Sequence, residues 1–242
     1  VQLRQPKRGY RVSSDAVILA ALAPVLAGQT VLELGTGYGQ VALCLACRVP
    51  GCVITAIELL PEVASLAEQN VELNGRAAHI SIHRANVKDL QLEQRFNWVL
   101  ANPPYRCVEG HDLSPIAAKN YANYEMDGVP LLAWAQAAAR HLQQDGAALF
   151  IFDAVRQADL MQALQQAGLG QQVVLPIISR AGDAARRVAI MAKAGAEKAV
   201  WLPPLVTHGA EQGWDPAIER VYRDAAGLSC FAEVNPFILS AK

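Results

Sequence analysis

Asn102-Pro103-Pro104-Tyr105 directly follows an apolar run, FNWVLA, at residues 96–101. Proline fixes φ, carries no N–H and pushes the residue before it toward an extended conformation. Asn102 is therefore held extended, and its side-chain oxygen and the Pro103 carbonyl are displayed as acceptors without adjacent donors. A pair of acceptors suits one chemical task. The exocyclic amine of an aromatic base has two N–H donors and a lone pair delocalised into the ring, so it is a poor nucleophile. Accepting both protons draws the nitrogen toward tetrahedral geometry and frees the lone pair for in-line attack, a stabilisation that grows as charge develops on nitrogen. Tyr105 can stack on the ring and position it. An electrophile that is already activated, such as a sulfonium methyl, then needs neither a metal nor a nucleophilic side chain.

A second group lies further upstream. LELGTGYG places Gly35, Gly37 and Gly39 just past TVLEL (30–34), ahead of a helical pattern. Glycines at such a point let the backbone turn tightly and approach a ligand. The G-x-G-x-G spacing departs from the dinucleotide pattern G-x-G-x-x-G, which disfavours a nicotinamide-dependent dehydrogenase, as does the presence of the Asn-Pro-Pro-Tyr stretch. CVITAIE (52–58) ends in Glu58, whose carboxylate can accept from both hydroxyls of a ribose. Taken alone, Glu58 equally suits an acid at a helix N-terminus ahead of Pro61. With the glycine loop beside it, the pair points to a ligand that carries a nucleoside.

The elements that must position these groups follow from the apolar pattern. Short runs at 30–34, 52–58, 79–85, 96–101, 147–152, 172–178 and 187–193 read as seven strands. Helical patterns separate the early ones; PEVASLAEQNVELNG opens with Pro61 at a first-turn position and closes on Asn74 and Gly75. This alternation predicts a Rossmann-like, doubly wound α/β fold with a mostly parallel seven-stranded sheet. The last two runs, separated only by SRAGDAAR, predict an antiparallel hairpin at one end of the sheet. Ligands of such sheets sit at the carboxyl ends of the strands, where Gly35, Glu58 and Asn102 fall. A long irregular stretch at about 106–126 follows Tyr105, and loops of that length in compact domains are commonly functional.

Composition narrows the class. The chain has 242 residues, 52% hydrophobic and 18% charged, which suits one α/β domain and no long disordered tract. Within it, 1–29 reads as a basic arm and helix, 30–195 as the core and 196–242 as an extension. Net charge is −1, so a polyanion must be met by local clusters: Arg4, Lys7, Arg8 and Arg11 in the arm, and Arg180, Arg186 and Arg187 later. These suit an RNA partner only if the fold brings them to one rim; otherwise they are a solvated surface. Five cysteines, an odd number in a chain of this size, suit a reducing, cytoplasmic setting. Cys44 and Cys47 sit in an apolar helical pattern and read as packing residues. No metal site is expected, since no second ligand pair has zinc spacing and His79 and His83 would lie roughly 13 Å apart on a strand. Residues 16–28 imitate a signal peptide, but Pro24 interrupts the run and Ser13, Ser14 and Asp15 resemble a helix N-cap, so a core helix is expected and no membrane span. The first residue is Val1 and not Met, which suits a trimmed or incomplete start.

LELGTGYG, AIE and NPPY in this order resemble the class I S-adenosylmethionine-dependent methyltransferases that act on amino groups. More narrowly, GYRVSSDAVILAA, RRVAIMAKAG, LPPLVTHG and WDPAIERVYR are similar to the bacterial enzymes that methylate N6 of the adenine beside the anticodon of a valine tRNA. The resemblance implies S-adenosylmethionine as cofactor. Gly35, Gly37 and Gly39 would line its methionine end with Glu33 nearby, and Glu58 would hold the ribose. Asn102, Pro103, Pro104 and Tyr105 would form the amine site. Asp15 would sit close to the cofactor, unless it is only an N-cap. Where the family usually has an acid after the third strand, this chain has Asn86, whose amide oxygen accepts without charge assistance.

The same amine site can serve an rRNA guanine, a protein glutamine amide or a DNA adenine. Roughly a dozen residues precede the first helix, which counts against the glutamine methylators with their extra N-terminal domain, and duplex DNA would require base flipping. An unstacked anticodon-loop adenine is the easier target. A non-catalytic nucleotide-binding scaffold is the rival of a different class, and Asn102 argues against it. A monomer or weak homo-oligomer is expected.

Overall fold

The computed structural model describes residues 1–7, 11–106, 120–121, 124–126, 129–209 and 213–231. Nine strands form one sheet: β1 (Thr30–Leu34), β2 (Val53–Glu58), β3 (Ile80–Arg84), β4 (Phe96–Ala101), β5 (Leu142–Asp153), β6 (Leu169–Ile178), β7 (Arg187–Lys193), β8 (Gly195–Trp201) and β9 (Leu205–Val206). Their order is β3-β2-β1-β4-β5-β7-β6-β8, with β9 also on β6. β1 to β5 run parallel, and β7 is antiparallel to both β5 and β6. The central strands β1, β2 and β4 are buried almost throughout, as strands covered on both faces must be. β3, at the edge, is largely open.

Helices cover both faces. On one lie α1 (Ser14–Leu22) and α2 (Gln40–Arg48), packed on each other and on the apolar side chains of β1, β2 and β5. On the other lie α4 (Leu131–His141) and α5 (Gln157–Gln166), against Leu32, Val99 and Phe150. α3 (Pro61–Leu73) connects β2 to β3, and α6 (Pro216–Asp224) packs near α1. The run at 16–28 is thus largely a core helix: Ala16, Ile18, Leu19 and Leu22 of α1 are all buried.

Each of the seven expected runs is a strand, and β6 and β7 form the expected antiparallel hairpin toward one end of the sheet, but the sheet does not stop at seven. β7 inserts between β5 and β6, while β8 passes to the far side of β6 and runs parallel to it. β9 continues along the same side, after a break that holds Pro203 and Pro204. The crossing needs bare backbone: a Cβ on Gly170 would lie 2.5 Å from the Gly195 carbonyl oxygen. β8 is exposed nearly throughout, so it lacks the buried face by which a strand is read from sequence.

The N-terminal arm is held by two asparagines one turn apart, Asn70 on α3 and Asn74 at its C-cap. Asn70 Oδ1 accepts from Arg4 N–H at 2.7 Å and Asn74 Oδ1 from Gln2 N–H at 2.8 Å. Each amide returns a bond, Asn70 Nδ2 to Arg4 O and Asn74 Nδ2 to Gln2 O. Asn70 Nδ2 also donates to Tyr38 O at 2.9 Å, which ties the arm to the glycine loop.

Candidate active site

Strand register sets the site. Leu34 of β1 is level with Ile57 of β2 and with Ala101 of β4. The next residue on each strand is Gly35, Glu58 and Asn102, so three segments distant in sequence emerge side by side at the carboxyl edge. Strand order reverses there, between β1 and β4, and the crevice at such a reversal is where open α/β sheets bind ligands.

The loop after β1 turns through three left-handed glycines, Gly35 at φ 69°, Gly37 at 59° and Gly39 at 83°. Glu58 holds it. Its Oε2 accepts from Gly37 N–H at 2.9 Å and its Oε1 from Leu60 N–H at 3.0 Å, leaving each oxygen further acceptor capacity. Burial pushes the Glu58 carboxyl up, and the backbone donors pull it back. Glu33 is more deeply enclosed. Thr36 Oγ1 and Ala42 N–H both donate to its Oε2, at 2.8 Å and 3.0 Å, yet burial carries its pKa up to about 8.

One cleft runs along these groups. Glu33, Gly35, Gly37 and Gln40 line it, as do Glu58, Leu60, Asn86 and Val87, and Asn102 and Pro104 just past β4. Gln40, 4% exposed, points a buried Oε1 without a hydrogen-bond partner. A buried acceptor lacking a donor, in the same cleft as a carboxyl whose ionised form burial disfavours, suits a cationic group such as an amino acid's ammonium. A two-oxygen acceptor at Glu58 suits a diol. These residues fit S-adenosylmethionine, which carries both.

Two sequence expectations are relocated, and a third gains a second partner. Gly39 does not line the cleft; it is the N-cap of α2, and its Cβ position faces Ala67 and Leu43 at 3.7 Å. Asn86 lines the cleft while its Oδ1 accepts from Lys88 N–H at 2.9 Å, capping a short 3-10 turn. Asp15 is not an N-cap, since Ser13 precedes α1, and it lies outside the cleft lining. Its Oδ2 instead meets Arg187 Nε at 2.9 Å and the Tyr105 hydroxyl at 3.0 Å.

Arg187 is thereby drawn inward and is not part of a solvated basic surface. It pairs with Asp15 and, at 3.4 Å, with Asp153, and its guanidinium lies 4.6 Å from the Tyr105 ring centroid. Tyr105 also meets Phe152 edge-on at 5.4 Å. One face of its ring is taken by Arg187. Arg4, Lys7, Arg11, Arg180 and Arg186 are exposed, and Arg8 lies outside the described residues. The Asp15–Arg187 pair joins the start of α1, four residues past Arg11, to the neighbour of Arg186.

Sequence reasoning missed several lining residues. Trp134 of α4 lies under the glycine loop, with its Cη2 2.7 Å from where a Cβ on Gly35 would stand. LLAWAQAAARH reads as an ordinary core helix, so nothing in it marks that indole. Gln40 was hidden by its place among small apolar residues. Tyr121, Tyr124, Glu125, Met126 and Val129 also line the cleft. They come from or just after the long stretch at 106–126, most of which, with Cys107, lies outside the described residues. Cys44 and Cys47 are free thiols on α2. Among the described residues no group of three His, Cys, Asp or Glu could hold a metal ion, and no helix is long and apolar enough to cross a membrane.

The Methyltransferase small domain family matches residues 12–122. The tRNA1(Val) (adenine(37)-N6)-methyltransferase of Shewanella amazonensis is 31% identical over 191 residues, covering 77% of this chain and 79% of that protein. The enzyme of the same name from Actinobacillus pleuropneumoniae serotype 7 is 28% identical over 192 residues, 76% of this chain and 77% of that one. Among solved structures, a predicted O-methyltransferase from Agrobacterium tumefaciens superposes with a TM-score of 0.71 at 22% identity, over 88% of this chain and 98% of that one. A geranyl diphosphate methyltransferase in complex with SAM shares the fold at a TM-score of 0.54 and 15% identity, over 74% of this chain and 83% of that one. Both structures share the α/β sheet whose reversal carries the cleft. The sequence relatives share most of their length with this chain, which belongs to the S-adenosylmethionine-dependent N-methyltransferases of the tRNA1(Val) (adenine(37)-N6)-methyltransferase family.

Proposed function

We propose that the chain methylates N6 of an adenine in RNA, and that the substrate is an unstacked adenine in the anticodon loop of a tRNA. The observation that carries this reading is the register that brings Asn102 to the same cleft as Gly35 and Glu58. A relative named for adenine N6 in tRNA supports the choice of base. Bound S-adenosylmethionine supplies an activated sulfonium methyl. Glu58 would accept from its ribose hydroxyls, Glu33 and Gln40 would receive its ammonium, and Gly35 and Gly37 would line its methionine end. Asn86 contributes its remaining acceptor capacity to the adenine end. Asn102 Oδ1 and the Pro103 carbonyl accept the two amine protons of the target base, Pro104 keeps that turn rigid, and Tyr105 positions the ring. The exposed cations Arg4, Lys7, Arg11, Arg180 and Arg186 attract the phosphates around the loop, a contribution that salt weakens. The target nitrogen loses its proton to solvent after transfer, so no side-chain base is required.

The test is incubation with isotopically labelled S-adenosylmethionine and a total tRNA pool that lacks the modification, followed by digestion and mass spectrometry of nucleosides. Labelled N6-methyladenosine is the expected result. Label in a guanine nucleoside from ribosomal RNA, in DNA or on a protein glutamine would move the substrate to that class. Absence of label anywhere, in protein that binds the cofactor, would overturn the reading.

A further inference from the structure

Three polar atoms stand in a row beside the cleft. The Tyr105 hydroxyl oxygen lies 3.0 Å from Asp15 Oδ2 and 2.5 Å from Asn102 Oδ1. A phenol has one proton to give, and both neighbours are oxygens. Arg187 Nε donates to the same Asp15 oxygen at 2.9 Å, and a carboxylate can only accept. Tyr105 therefore donates to Asp15 and turns a lone pair toward Asn102. Two oxygens at 2.5 Å with no proton between them repel. A half-turn of the Asn102 amide exchanges Oδ1 for Nδ2 without moving any other group, and Nδ2 then donates to the Tyr105 oxygen. Every member of the row is then satisfied, and the amide oxygen is released from the tyrosine.

We infer that Asp15 is a positioning residue: through the Tyr105 hydroxyl it locks the Asn102 amide so that Oδ1, and not Nδ2, meets the target amine. The opposite orientation would aim donors at donors, so the row decides whether the site can receive an amine at all. This inference rests on the proposed reading that Asn102 accepts the amine protons. The parts come from four distant segments. Asp15 opens α1, Tyr105 follows β4, Arg187 opens β7 and Asp153 ends β5, level with Arg187 in the register. Arg187 over the Tyr105 ring and Phe152 at its edge hold the phenol so that its hydroxyl cannot swing off the line. The role also explains why an acid is placed in the first turn of α1 but off the cleft lining.

The test compares Tyr105→Phe, Asp15→Asn and the double variant with the full chain, using the unmodified tRNA pool at saturating cofactor. Each single variant is expected to lower kcat about 10–100-fold, the scale of a lost hydrogen bond to a charged group, with KM for RNA and cofactor affinity changed far less. In the Tyr105→Phe background, Asp15→Asn should cost nothing more, because the acid then has no route to the amide. Single variants at wild-type kcat, or losses that multiply, would overturn the inference. A second readout is independent of the substrate. In 15N-asparagine-labelled protein, with Asn102→Asp identifying the resonance, the Asn102 side-chain amide signal should shift in both Tyr105→Phe and Asp15→Asn. An unmoved signal would refute the row. Wild-type protein that methylates no RNA but shows the shifts would overturn the proposed substrate while leaving the positioning network standing.

Discussion

Gly35→Ala probes the contact on which the glycine loop rests. Gly35 has a φ of 69°, a left-handed conformation that costs an alanine about 1–2 kcal/mol. The added Cβ would stand 2.7 Å from Trp134 Cη2 and 3.0 Å from Cζ3, and that indole is buried between α4 and the sheet. Overpacking a rigid neighbour typically costs about 1–3 kcal/mol. Together the two amount to about 2–5 kcal/mol, a large share of the stability of a domain this size, and to a fall in Tm of about 4–20 °C. Thermal unfolding followed by circular dichroism measures it, with calorimetry reporting cofactor affinity. The Trp134→Phe background separates the parts. A phenyl ring is shorter than an indole, so Gly35→Ala should there cost only the conformational part, about 1–2 kcal/mol. An equal penalty in both backgrounds would show that the indole does not support the loop. No penalty in either would refute the left-handed turn itself.

Three further outcomes are expected. Asn102→Ala should leave cofactor affinity nearly intact while lowering the methyl-transfer rate about 10²–10³-fold, and equal loss of both would remove it from the amine site. Glu58→Ala should do the reverse, weakening cofactor binding about 10–100-fold by losing charge-assisted hydrogen bonds and freeing Gly37 N–H; an unchanged Kd would contradict its place in the site. Glu33 gives a pH signature. Its carboxyl titrates near 4.5 when unfolded and at about 8 when folded, so between these values the unfolded chain binds fewer protons than the native one. Stability then falls as pH rises through that window. The Tm of the ligand-free protein should drop more steeply from about pH 5 to pH 8 than that of Glu33→Gln, and parallel curves would show that Glu33 carries no such burden.

Much of this protein was determined by local sequence. A strand covered on both faces needs a near-continuous apolar run, so β1, β2 and β4 were legible, and with them the edge where Gly35, Glu58 and Asn102 emerge. Proline and glycine act within a residue or two, so the rigid Asn102 turn and the left-handed loop were legible as well. Exposed β8 had no buried face to betray it, and its route across β6 depends on two glycines, Gly170 and Gly195, that touch only in the fold. Only the tertiary structure turned Arg187 from a surface cation into the partner of Asp15, 172 residues away. It also placed Trp134 beneath Gly35 and left the Gln40 oxygen unpaired in the cleft. A charge, an indole or an amide reads the same in sequence wherever it ends up. Its role is decided by which groups packing brings within a few ångströms, because hydrogen bonds and contacts act only over that range.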